Sequence, residues 1–300
     1  MTKTRVGLIG AGLMGHGIGK NIVTKGFPLK VLGHRNRAPV DDLIAKGATE
    51  AKSGRELAEN CDLVIICVTA SPQVEDAIYR KDGLLDGMRK GLIIADCSTA
   101  DPNSTLKVAK DVTAKGGIFL DTPLTRTPRE AEEGKLGLMT GGDQPALKTI
   151  RPVLDCFADT IVHAGETGSA HTLKLINNYI SLGTAAVVAE GIMLAAKAKV
   201  DMTALRDIVM AGGARSLMFE RFIKVPLEND DSAAKFSIAN ATKDLRYYTN
   251  LAENLPVTSF IAEAVHQTFV TGLVRGYGDK FIPRIIDLLC EINGVKLPGR

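Results

Sequence analysis

The sequence has no C-x-x-C pair, and its five cysteines (Cys61, Cys67, Cys97, Cys156 and Cys290) are scattered and odd in number. That excludes a disulfide scaffold and reads as reduced thiols in a cytoplasmic protein. There is no block of like charge: 37 basic against 34 acidic residues leave a net charge of +3, evenly spread. A nucleic-acid partner is therefore not expected. The opening Met1-Thr2-Lys3-Thr4-Arg5 leads into a short apolar run broken by glycines, which is no secretory signal. The most apolar stretch, Leu173 to Leu194, contains Lys174, Asn177, Asn178 and Glu190, so it reads as a buried helix and not as a membrane span. His16, His34, His163, His171 and His266 share no ligand spacing with one another or with the cysteines, and no metal site is expected.

What is present is an ordinary globular composition, 45% hydrophobic and 24% charged over 300 residues, a length that favours two domains. The first half alternates short β-branched runs with amphipathic segments. Strands are expected at Arg5–Ile9, Leu29–Leu32, Leu63–Val68, Leu92–Asp96, Ile118–Leu120, Leu136–Thr140 and Thr160–His163. Helices are expected at Met14–Thr24, Val40–Lys46, Pro72–Ile78, Asn103–Ala114 and Gln144–Cys156. Continuous apolar strands alternating with helices imply an α/β domain, a doubly wound and mostly parallel sheet covered on both faces. After about Gly165 the chain is rich in Ala, Leu, Ile and Met at helical spacing. The expected division is 1–165 for the sheet domain and 166–300 for an all-α domain, joined by one long helix from Ser169 to Lys197.

Gly10-Ala11-Gly12-Leu13-Met14-Gly15 is a G-x-G-x-x-G set between the first strand and its helix. The glycines permit a tight turn, a close backbone approach and helix–strand packing, and the helix start offers N–H groups to a pyrophosphate. In dinucleotide sites the second strand often ends in a carboxylate for the ribose. Here it ends Gly33-His34-Arg35-Asn36-Arg37, with no carboxylate before Asp41. His34, Arg35 and Asn36 are the expected ribose neighbours. Arg35 and Arg37 suit a 2′-phosphate, which favours NADP while leaving NAD open.

On the long helix Lys174, Asn177, Asn178 and Ser181 stand at i, i+3, i+4 and i+7, one polar stripe among apolar neighbours. A lysine on such a helix is costly unless partnered, and burial lowers its pKa toward a value useful for proton exchange. A snorkelling lysine beside structural amides would give the same pattern.

Four ordered blocks resemble the β-hydroxyacid dehydrogenases, the family of 3-hydroxyisobutyrate dehydrogenase and tartronate semialdehyde reductase. They are Gly7 through Gly15, similar to G-x-I-G-x-G-x-M-G, and Asp96-Cys97-Ser98-Thr99-Ala100-Asp101-Pro102, similar to D-x-S-T-x-x-P. The third is Asp121 through Thr127, continuing through Gly134 to Gly142. The last is Gly165 through Lys174 and Asn178, similar to G-x-x-G-x-G-x-x-x-K-x-x-N-N. A shorter match is Lys243-Asp244-Leu245. The resemblance implies Lys174 as the general acid/base, Asn178 orienting the substrate, Ser98 and Thr99 beside nicotinamide and substrate, and Lys243 closing over the cofactor. Asn177 and Ser181 share the substrate stripe. His171 is expected only to cap or pack.

The chain departs from the family at Thr125-Arg126-Thr127, where S-G-G is usual, at Glu130 and at Ala170. A guanidinium at 126 replaces neutral donors with a fork suited to carboxylate or sulfonate, so Thr125, Arg126 and Thr127 are expected to receive the substrate's anionic end. Arg126-Thr127 together with Lys174 through Tyr179 resembles the sulfolactaldehyde reductase branch. The resemblance implies hydride transfer between NAD(P) and a small 3-hydroxy acid or its semialdehyde, in a homodimer or homotetramer. A short-chain anionic aldehyde reductase is the alternative within enzymes. A non-catalytic dinucleotide-binding module is the alternative outside them, against which Lys174 and Ser98-Thr99 both argue.

Overall fold

The computed structural model describes residues 3–298, and the chain falls into two compact units, the first ending at Lys174 and the second starting at Leu175. The first unit begins β1 (Val6–Ile9), α1 (Gly15–Thr24), β2 (Leu29–Leu32), α2 (Ala38–Ala45), β3 (Thr49–Ala51), α3 (Gly54–Asn60), β4 (Leu63–Ile66) and α4 (Ser71–Tyr79). It continues with β5 (Ile93–Asp96), α5 (Pro102–Ala114), β6 (Ile118–Asp121), β7 (Leu124–Thr125), α6 (Pro128–Glu133), β8 (Leu136–Gly141), α7 (Gln144–Leu154) and β9 (Ala158–Gly165).

The strands form one sheet in the order β3-β2-β1-β4-β5-β6-β8-β7, with β9 paired to β8. Pairing is parallel from β3 through β6, antiparallel where β8 meets β6 and β7, and parallel again between β8 and β9. This is the doubly wound, mostly parallel sheet expected. Its strands are apolar throughout because both faces are covered. On β4, Leu63 and Ile65 join one core with Leu8 and Ala95, while Val64 and Ile66 join the opposite one with Ile9 and Ile94. The order reverses between β1 and β4, and a crevice at the carboxyl ends of these strands is where such sheets take ligands.

The structure corrects several element boundaries. β3 and β7 were not expected: one is the three-residue Thr49-Glu50-Ala51 and the other only two residues long, too short for a periodic signal. The helices α3 and α6 were also missed. In α3 the Ser53 hydroxyl accepts the N–H of Glu56, and α6 has a full capping box between Thr127 and Glu130 with Pro128 in its first turn.

α8 (Ser169–Lys197) runs from the first unit into the second, which otherwise holds α9 (Met202–Ala211), α10 (Leu217–Phe222), α11 (Lys224–Glu228), α12 (Ile238–Asn254), α13 (Phe260–Val274) and α14 (Ile285–Ile292). Its core gathers Leu182, Ala189, Phe222, Leu245, Phe269 and Ile285. The first turns of α8 belong to the first unit because β6 holds them, as described below. By length and composition α8 could cross a membrane, and a third of its most apolar window is buried inside the fold.

Candidate active site

The turn after β1 is shaped for a phosphate. Gly10 has φ +94°, and a Cβ there would collide with the carbonyl of Cys67. A Cβ on Gly15 would strike the carbonyl of Gly10, so these two glycines are required by the protein's own packing. Gly12 differs. A Cβ there would meet no protein atom within 4 Å, so the space beside it is open for a ligand. Leu13 is exposed, and Met14 caps α1 without any side-chain hydrogen bond to the helix N–H groups. An unblocked helix start behind an open glycine fits the pyrophosphate of a dinucleotide.

At the end of β2, His34, Arg35 and Asn36 are exposed. Asn36 accepts the N–H of Ala38 at 3.3 Å and so serves the start of α2. Arg37 corrects an expectation. Parallel pairing of β2 with β3 brings Glu50 alongside, and Arg37 bonds Glu50 at 2.5 and 3.0 Å and Asp41 at 3.0 Å. Its fork is already committed to carboxylates, whereas Arg35 is exposed and in no ion pair with a described residue.

The Ser98–Thr99 loop follows β5. Ser98 is buried, its Oγ accepts the N–H of Val68 at 3.0 Å, and its own N–H donates to Asp96 Oδ1 at 2.9 Å. The hydroxyl therefore stitches the loops after β4 and β5 together. Thr99 beside it is half-buried. Cys67 and Cys97 flank the same strand ends, and burial pushes the Cys67 thiol up to about 12 and that of Cys97 well above its ordinary value. Both shifts disfavour the thiolate, the form in which a cysteine is nucleophilic.

The start of α8 is fastened to these strand ends. Asp121, last residue of β6 and fully buried, accepts the N–H of Gly168 on one carboxylate oxygen and that of His171 on the other, both at 2.9 Å. A carboxylate at a helix N-terminus satisfies orphan donors and complements the helix dipole. His171 is fully buried, with Nδ1 2.7 Å from Thr105 Oγ1 and Nε2 3.2 Å from the carbonyl of Ser98. Three residues on, Lys174 lies half-buried on the stripe that His171 begins.

Further along that stripe, Asn178 accepts from Asn177 at 3.2 Å and donates Nδ2 to Asp244 Oδ2 at 2.6 Å. Asp244 is buried, and Lys243 Nζ lies 3.0 Å from its Oδ1, an ion pair made outside hydrogen-bond angles. Asp244 thus joins α12 to α8 within the second unit, and Ser181 follows half-buried. Sequence reasoning placed Lys243 over the cofactor, had Asp244 only within the Lys243-Asp244-Leu245 match, and offered no partner for Asn178.

The loop from 125 to 127 is more committed than expected. Thr125 donates its hydroxyl to the carbonyl of Gly137 at 3.3 Å, and Thr127 is spent on the capping box, its N–H 3.0 Å from Glu130 Oε2. Arg126 adopts φ +77°, the left-handed geometry of a glycine. Its guanidinium bonds Asp159 Oδ2 at 2.7 Å, Thr160 Oγ1 at 3.2 Å and the carbonyl of Lys135.

Residues 5–165 match the NAD binding domain of 6-phosphogluconate dehydrogenase, and residues 168–289 match the NAD-binding domain of NADP-dependent 3-hydroxyisobutyrate dehydrogenase. The chain is 31% identical to 2-hydroxy-3-oxopropionate reductase of Escherichia coli (strain K12), over 89% of this chain and 92% of that protein. A solved 3-hydroxyisobutyrate dehydrogenase from Salmonella typhimurium superposes with a TM-score of 0.84 at 26% identity, covering 95% of this chain and 100% of the other. Psf3, solved with NADP+ and 2-OPP, gives 0.83 at 25% identity, covering 95% and 99%. The sheet order, the open glycine turn and these likenesses agree: the chain belongs to the β-hydroxyacid dehydrogenase family of NAD(P)-dependent oxidoreductases.

Proposed function

We propose that the protein interconverts a small 3-hydroxy acid and its semialdehyde, with NADP preferred over NAD. The observation that carries this reading is the attachment of α8. Asp121 and His171 tie its first turn to the carboxyl ends of β6 and β5, the end of the sheet that also carries the Gly10–Gly15 turn. Lys174, one turn further, is thereby carried by the same framework. Bound nicotinamide supplies or accepts the hydride. Lys174 gives a proton to the substrate oxygen in reduction and removes it in oxidation. Asn178 has one amide N–H on Asp244 and a second with which to hold that oxygen.

The substrate's anionic end is assigned to Arg126. To meet it, the guanidinium exchanges Asp159 for the incoming anion, trading one charge-assisted bond for another. A planar fork accepts sulfonate as readily as carboxylate, so a short sulfonated aldehyde is the second reading, favoured by Arg126 alone. Related 2-hydroxy-3-oxopropionate reductase by its name acts on a small oxo acid, which supports the carboxylate reading.

The exposed apolar side chains Ile176, Ile180, Val187 and Leu194 recur along one face of α8, and a second copy of the chain is proposed to cover them. The five free thiols support a reducing, cytoplasmic setting. The test of function is a panel of small hydroxy acids, semialdehydes and sulfonated aldehydes assayed with both cofactors. In Lys174→Ala, turnover should fall about 10²–10⁴-fold while cofactor binding persists. Near-normal turnover in that variant would remove Lys174 from the mechanism.

A further inference from the structure

His171 is wholly buried, and both its ring nitrogens are engaged, one by the buried Thr105 side chain and the other by the Ser98 carbonyl. Nε2 faces the carbonyl of Ser98, which can only accept, so Nε2 carries the proton. Nδ1 lies 2.7 Å from the Thr105 hydroxyl, which also donates to the carbonyl of Asp101 at 3.2 Å. Thr105 stands on α5, Ser98 on the loop that leads to α5, and His171 on α8. The carboxylates nearby are Asp121, spent on the α8 backbone, and Asp96, whose Oδ2 is 3.9 Å from Nε2 and has no hydrogen bond.

A trans peptide is planar, with its carbonyl and the following N–H pointing opposite ways. Holding the Ser98 carbonyl therefore fixes the plane of the Ser98–Thr99 peptide and the direction of the Thr99 amide. The Ser98 side chain is separately fixed on Val68. Without His171 the side chain keeps its anchor while the Ser98 carbonyl loses this partner.

We propose that His171 is a positioning residue for the reaction: its Nε2–H sets the Ser98–Thr99 peptide, and through it the surface that this loop presents to nicotinamide and substrate. The inference rests on the oxidoreductase reading above, and it adds a function to a residue the resemblance left without one. Since Lys174 follows three residues later on the same helix, one side chain registers the loop against the helix that bears the acid/base.

Two isosteres separate this role from simple packing. His171→Gln places an amide N–H near Nε2 and retains the bond to Ser98. His171→Asn reaches only the Nδ1 position and retains the bond to Thr105. Cofactor affinity, kcat, KM and amide exchange at residues 97–101 are measured for both. The Gln variant should stay close to the parent. In Asn, kcat should fall about tenfold, as expected for a displacement well under 1 Å, with cofactor affinity little changed and exchange at 97–101 faster. Equal kcat in Gln and Asn, or a Gln variant worse than Asn, overturns the positioning role while leaving the activity itself standing. If the parent turns over none of the panel, the oxidoreductase reading fails first. Amide exchange then decides the loop contact alone, and equal exchange in the two variants refutes it.

Discussion

Asp121 accepts the backbone N–H of His171 at 2.9 Å, so the helix that carries Lys174 is capped by a strand residue fifty positions earlier in the chain. The same carboxylate takes the N–H of Gly168 with its other oxygen. No local sequence signal reports such a cap, since it forms only when the sheet is complete.

Replacing Asp121 with Ala should destabilise the first unit by roughly 2–4 kcal/mol, the sum of a lost cap and two buried donors left without partners. Asn keeps one acceptor oxygen and should lose about half as much. Urea unfolding of both variants measures this. A cost below about 0.5 kcal/mol for Ala would mean that water or another group takes over the cap.

Arg126 and Asp159 should have opposite kinetic effects. Arg126→Ala should raise KM for anionic aldehydes about ten- to a hundredfold, the worth of a charge-assisted bond. Asp159→Asn frees the fork and should lower that KM by up to about fivefold, the worth of an exposed ion pair. An uncharged aldehyde should respond to neither. If Asp159→Asn raises KM for the anionic substrates, the exchange does not occur and the pair serves only to hold β9.

Cofactor preference should reside in Arg35. Arg35→Ala should cost NADPH efficiency about ten- to a hundredfold more than NADH efficiency. Arg37→Ala should leave the ratio of the two near the parent's, because Glu50 and Asp41 already occupy that guanidinium. A parent enzyme equally efficient with both cofactors would defeat the assignment.

His16 should make stability depend on pH. It lies between Glu132 and Asp42, at 2.6 and 2.7 Å, joining α1 to α6 and α2. Burial works against its charged form, but the hydrogen bonds to Glu132 and then Asp42 outweigh it and raise its pKa above the ordinary value. The folded state thus binds the proton more tightly than the unfolded chain. The resulting stability is fully present below the unfolded pKa, about 6.5, and is lost as pH rises through the raised folded value. Both carboxylates are held below their usual range and stay ionised across this window. The stability gap between the parent and His16→Gln, read by denaturant titration, should shrink from pH 6 toward pH 9. A gap that widens with pH contradicts the sign.

What the sequence made legible follows from how local each signal is. The glycine turn, the strands buried on both faces and the whole of α8 from Ser169 to Lys197 rest on short-range spacing, and all are present. α6 was equally legible: Thr127-Pro128-Arg129-Glu130 carries a capping box, but Glu130 was weighed only as a replaced glycine. Glu50 could not be placed against Arg37 without the β2–β3 register. His171 stands three residues before Lys174 and extends the polar stripe, a signal available from spacing, while its contact with the Ser98 loop requires the tertiary fold.

Arg126 holds a backbone geometry that costs an L-residue about 1–2 kcal/mol and costs glycine nothing. With Arg126 proposed to hold the substrate's anionic end, backbone strain and that role pull in opposite directions at this one position. A population of variants screened only for heat resistance would weigh that strain against the bonds to Asp159, Thr160 and the Lys135 carbonyl, which glycine forfeits along with the charged fork. One screened for turnover of an anionic aldehyde would hold the arginine and tolerate the strain.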